Sequence, residues 1–183
     1  MEARSDRSDW LALVTEAALE PELPICDAHH HLWLDNGHSG FPYPVSSFHA
    51  DTGSGHNVVR SVFLECNAGY RTDGPGHLRP VGETEFVVRC AAEARRAGGT
   101  EIAAIVGHAD VMLGDAVEEV LAAHEAAGAG LFRGIRYIVA WDGDRKLQMG
   151  IPQGALADER LRAGVRTVGR MGHSFDKIGR AHV

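Results

Sequence analysis

Two histidines one residue apart, His29 and His31, close a short apolar run, Pro24-Ile25-Cys26-Asp27-Ala28-His29-His30-His31-Leu32-Trp33. On a β-strand alternate side chains share a face and lie about 7 Å apart along the chain. Two imidazoles placed so can lean toward one ion at the ~2.0–2.1 Å typical of zinc–nitrogen bonds. His30 between them faces the other way and is excluded from the same ion. A histidine pair at the mouth of a first strand is the pattern of a metal-dependent hydrolase.

Three further positions carry chemistry. Glu65 ends the apolar run Val58 to Glu65, where a carboxylate is costly to bury unless it is paired; a metal, an arginine or a solvated loop would each serve. His108 and Asp110 follow another apolar run, His108 as a substrate-binding or catalytic group and Asp110 equally as a cap for the next turn. Arg136 lies within Gly134-Ile135-Arg136-Tyr137. A guanidinium in an apolar strand requires a carboxylate or a substrate anion, which it can grip through two parallel hydrogen bonds. Arg136 is favoured over Arg133 for holding substrate, with a structural ion pair to Glu65 or Asp110 as the alternative. Tyr70, Arg71 and His77 fall on a loop at the expected mouth. Gly53-Ser54-Gly55 lacks the further glycine or lysine of a phosphate loop.

The elements that must position these groups follow from periodicity. Ser8 to Glu20 has helical spacing, and Pro21 and Pro24 end it. Strands are expected over Ile25 to His31, Val58 to Glu65, Ile102 to Gly107 and Phe132 to Val139, with a fifth beginning at His173. Helices are expected over Gly82 to Ala97, stopped by Gly98-Gly99, over Asp115 to Ala127, and over Ala157 to Met171. Leu34 to Asn57 reads as one long loop. The alternation is that of an α/β fold with a parallel sheet, and the chemistry-bearing residues come at C-terminal strand ends. That is the active face of a (β/α)8 barrel and equally the ligand edge of a doubly wound sheet.

The bulk composition narrows the class. The chain has 183 residues, 44% of them apolar and 23% charged, which suits one globular domain. A net charge of −7 argues against nucleic-acid binding, which needs a basic surface. No run reaches the ~18–20 apolar residues of a membrane span, and the N-terminus has no signal peptide. The three cysteines, Cys26, Cys66 and Cys90, are odd in number and widely spaced, as buried reduced thiols of a cytoplasmic protein would be.

With Asp27-Ala28-His29-His30-His31-Leu32-Trp33, Val62-Phe63-Leu64-Glu65-Cys66, Val106-Gly107-His108-Ala109-Asp110 and Phe132-Arg133-Gly134-Ile135-Arg136, the chain resembles the amidohydrolase-related family. Its likeness is to the branch that includes sugar-lactone and pyrone-dicarboxylate lactonases, from Ile25 to about Asp176. The resemblance implies a (β/α)8 TIM barrel with His29 and His31 as ligands of a divalent ion, zinc first. It also implies an aspartate on the last strand as base, and an arginine that holds a substrate carboxylate or carbonyl. Some lactonases of this branch work without a tightly held metal. The expected reaction is hydrolysis of a C–O bond in a carboxylated or sugar-derived lactone. Alternatives are non-oxidative decarboxylation on the same barrel, and an inert chain that only binds a metal or ligand.

A (β/α)8 barrel takes ~250 residues and short ones about 200, so this chain accommodates only about the first five strands. The last six residues, Ile178-Gly179-Arg180-Ala181-His182-Val183, read as a translated sequencing adapter (ATC GGA AGA GCA CAC GTC). The expected organisation is therefore barrel sequence over 1–177 and a non-native tail over 178–183, the fragment itself being inactive. A half-barrel leaves a strand edge uncovered, and such a chain is expected to associate or stay partly molten.

Overall fold

The computed structural model describes residues 13–14, 16–33, 41–144 and 151–178. Five strands and four α-helices alternate: β1 (Pro24–His30), α1 (Val45–Thr52), β2 (Asn57–Leu64), α2 (Val81–Ala97), β3 (Glu101–His108), α3 (Val117–Ala127), β4 (Phe132–Ile138), α4 (Glu159–Arg170) and β5 (Ser174–Ile178). Short 3₁₀ turns cover Gly76–Leu78, Val111–Ala116 and Ala155–Ala157.

The strands lie side by side in chain order, β1-β2-β3-β4-β5, and every pair is parallel. A doubly wound sheet reverses its strand order at a switch point. The five described strands show no reversal, an order compatible with part of a barrel and unlike a doubly wound sheet. The sheet curls into a half-barrel. Its first strand is an edge strand, bonded to β2 on one side.

Apolar side chains between sheet and helices form two clusters. Phe48, Phe63, Phe86, Val87, Ile102 and Ile105 belong to the first. Val117, Leu121, Ile135, Leu161 and Val168 belong to the second. Each helix reaches its place by local chemistry. Asp158 caps α4 by accepting from the Arg160 amide at 2.8 Å. Gly98, left-handed at φ 73°, ends α2 and donates back to the Ala94 and Arg95 carbonyls. Gly164 lets α4 approach the backbone of the 111–116 turn: a Cβ there would sit 2.2 Å from the Val111 carbonyl oxygen.

Three expectations are corrected. The 34–57 loop contains α1, whose buried Val45 and Phe48, three apart, face the core. Residues 13–14 and 16–20 of the expected first helix are not helical; the rest of that stretch, 8–12 and 15, lies outside the described residues. Cys26 is exposed rather than buried, lying on an edge strand of the described sheet and lining an open cavity, while Cys66 and Cys90 are buried. β5 runs through Ile178; residues 179–183 of the expected tail lie outside the described residues. No helix among the described residues is long and apolar enough to cross a membrane.

Candidate functional site

The first strand ends in a β-bulge. Asp27 pairs with Ser61 and His30 with Phe63, so β1 advances three residues where β2 advances two. Bulges re-aim side chains at strand ends. Here the Asp27 carboxylate accepts from the His29 amide at 3.0 Å. Beyond the bulge His30 turns toward α1, buried, its ring stacked on Phe48 at 4.4 Å.

His29 and His31 converge. Their Nε2 atoms are 3.1 Å apart and their rings meet edge to face. His31 Nδ1 donates to the Leu64 carbonyl at 2.8 Å, a bond that leaves the Nε2 lone pair pointing outward. Burial holds His31 below the usual imidazole range, offset by the Leu64 bond, with the charges of His29 and Arg136 adding to the lowering. A neutral imidazole is the ligating form. Two nitrogens on one tetrahedral zinc lie about 3.3–3.4 Å apart, so the pair fits two positions of such an ion. Among the described residues no group of three or more His, Cys, Asp or Glu side chains is arranged to hold a metal. The fit is that of a two-nitrogen site.

A cavity of about 700 Å³ opens beside the pair, bordered by Asp27, His29, His31, Trp33, Tyr43 and Phe48. Its wall is tied together by Trp33 and Tyr43, which exchange backbone hydrogen bonds across an antiparallel bridge. The Tyr43 hydroxyl donates to Asp51 at 2.5 Å.

Arg136 and Glu65 meet across the sheet, 5% and 7% exposed. Arg136 Nη2 donates to the Glu65 carbonyl oxygen at 2.7 Å, and Nε lies 3.2 Å from Glu65 Oε1 without the alignment of a hydrogen bond. Of the readings open for these residues, the ion pair is the one seen. Arg133 is exposed and donates to the Gly130 and Phe132 carbonyls.

His108 stands apart. It lines a separate cleft of about 390 Å³ with Tyr70, His77, Arg79 and Asp110, which shares no residue with the cavity at His29 and His31. Its ring stacks on Tyr137. Asp110 caps the 111–116 turn through the Met112 amide at 2.9 Å and accepts from the Tyr137 hydroxyl at 3.1 Å.

Two buried ionisable side chains, His124 and Glu83, escaped the sequence reading. His124 on α3 is fully buried; its Nε2 donates to the His108 carbonyl at 3.0 Å, and Nδ1 accepts from the Thr84 hydroxyl at 2.8 Å. Burial pushes it down to about 4. It falls in helical register with Val117, Val120 and Leu121, a signal available in the sequence. Glu83, 1% exposed in the first turn of α2, accepts from the Cys66 and Ala68 amides through Oε1. An acid in a first helical turn is ordinary, and nothing local marks this one as buried.

No family model, curated protein or solved structure matches this chain.

Proposed function

We propose that the five strands are the first five of a (β/α)8 barrel hydrolase of the amidohydrolase-related type, acting on a lactone or related cyclic ester. The observation that carries this reading is the meeting of His29 and His31 Nε2 at 3.1 Å with His31 Nδ1 committed to a backbone carbonyl. That is a donor pair able to seat an electrophilic ion at a C-terminal strand end, the active face of a barrel. His29 and His31 would hold a divalent ion, zinc by ligand type, and such an ion would supply Lewis-acid polarisation of a carbonyl. Arg136, whose charge reaches His31, adds positive potential where an oxyanion would develop.

A second reading is favoured by the two-nitrogen donor set: His29, whose Nε2 can carry the hydrogen, polarises the carbonyl by hydrogen bonding while His31 Nε2 acts only as an acceptor, and the pair holds no resident metal. Zinc titration of the chain, beside the His29→Ala/His31→Ala variant, separates the two. Tight binding of one ion that the variant loses supports the metal centre; equal binding by both proteins removes it. The reaction is read on the coding sequence extended past Asp176, with neutral and carboxylated lactones as substrates. Ring opening without gas supports hydrolysis. Release of carbon dioxide, or no turnover of any lactone, overturns it.

A further inference from the structure

The turn that carries the chain out of β2 is wrapped around a buried carboxylate. Cys66 and Ala68 donate their amides to Glu83 Oε1 at 2.9 and 2.7 Å, and Asn67 between them is left-handed at φ 62°. Asparagine is one of the few residues besides glycine that adopt that region readily. Glu83, presented by the first turn of α2, is the acceptor around which the turn closes.

Glu65 immediately precedes this turn. Its carbonyl oxygen receives Arg136 Nη2 and its carboxylate lies against Arg136 Nε. The guanidinium is therefore seated on one residue, whose amide is held by the Val106 carbonyl at 2.8 Å and whose carbonyl leads into the turn that Glu83 holds. We propose that Glu83 is a positioning residue for Arg136: its carboxylate holds the turn after β2 and thereby fixes the Glu65 carbonyl and carboxylate on which the guanidinium rests.

The charges at this locus agree with that coupling. Facing Glu83 are Glu65 at the end of β2 and Cys66 on the turn, with the Tyr70 phenol in the loop beyond sensing the same carboxylate and Arg136 on β4 paired to Glu65. Arg136 is paired to Glu65, and the Glu65 charge in turn acts on Glu83. Burial first, opposed by the Cys66 and Ala68 amides and assisted by the Glu65 charge, pushes the Glu83 carboxyl up to about 7. Glu83 Oε2 and the Tyr70 hydroxyl are buried with no partner, so the second oxygen is free to carry the proton. The inference concerns how Arg136 is held and so deepens the function proposed above, but its test requires neither turnover nor metal.

The experiment follows the Cys66 and Ala68 amides and the Arg136 Nε–H by nitrogen-15 NMR as pH is raised through neutrality. In the wild type all three signals are expected to titrate together, with a midpoint near 7. Glu83→Gln keeps an acceptor for both amides, so their low-pH positions persist while the titration disappears at all three sites. Glu83→Leu removes the acceptor, and the Arg136 Nε–H signal is lost to exchange with solvent. A group that only stabilised the fold would leave the Arg136 signal untouched. The proposal is overturned if the amides titrate and Arg136 does not, or if Arg136 still titrates in Glu83→Gln; the wild type and Gln variant decide it even if the Leu variant does not fold. Failure of the hydrolase reading shows elsewhere, as zinc binding indifferent to His29→Ala/His31→Ala.

Discussion

Replacing Arg136 by Met strands the Glu65 carboxylate at 7% exposure, with its counter-charge gone. Removing one member of a buried ion pair typically costs about 3–5 kcal/mol, because the charge left behind has lost both water and partner. Removing both members together is often close to neutral. The Arg136 contact to the Glu65 backbone carbonyl is lost as well, so the upper part of that range is expected for Arg136→Met. A urea titration read by circular dichroism measures it. With a slope of about 2 kcal/mol per molar for a domain of this size, a loss of about 4 kcal/mol lowers the midpoint by about 2 M. Glu65→Leu/Arg136→Met should recover most of that shift, and moderate salt should leave the difference in place, since buried pairs are weakly screened. A midpoint shift below about 0.5 M for Arg136→Met, or a double variant as damaged as the single one, would refute the argument.

Acid should destabilise the chain through its buried imidazoles. His30 and His124 are both pushed down to about 4 by burial. A base held below its unfolded value contributes stability that is complete above about 6.5 and is lost as pH falls toward 4, about 3 kcal/mol for each. Glu83, raised to about 7, acts in the opposite sense: its contribution is complete below about 4.5 and is lost as pH rises through 7. Glu83→Gln should therefore gain on the wild type between those limits, by up to about 3 kcal/mol in urea midpoints, and parallel profiles would contradict it. Of the three thiols, exposed Cys26 should react with a disulfide reagent at once. Cys66 and Cys90, buried and raised to about 12 and 11, should react only on unfolding. Gly164→Ala should push α4 off the Val111 backbone and lower stability by at least 1–3 kcal/mol, roughly the cost of overpacking; an unchanged melt would contradict the close approach. Sedimentation velocity should show concentration-dependent association through the open strand edge, which a strictly monomeric profile would exclude.

Strands were legible because each is a β-rich run bounded by turn residues, and all five fall within about a residue of their expected starts. Helix α2 was legible from Gly98, whose left-handed geometry is the reason the helix stops there. Helix α1 was not, since only Val45 and Phe48 in it face the core and its remaining residues are those of a loop. Strand order could not be read from periodicity, which reports faces and not neighbours. At the site, the spacing of His29 and His31 foretold a shared face, but the bulge that brings their Nε2 atoms together is a property of pairing with β2. Glu65 and Arg136 were each legible as groups in need of a partner. That each is the other's depends on β2 and β4 lying on either side of β3, and the burial of Glu83 depends on α2 docking over the same turn.

The imidazole pair stands on one of the two edge strands of the described sheet. Among the described residues β1 is zipped to a single neighbour, and its register slips twice along seven residues. Opening of such a margin is a sub-global event that needs less free energy than unfolding of β2 to β4. Ligand capacity at His29 and His31 would then vanish ahead of global melting, so that amide protons of β1 exchange early while those of β3 stay protected.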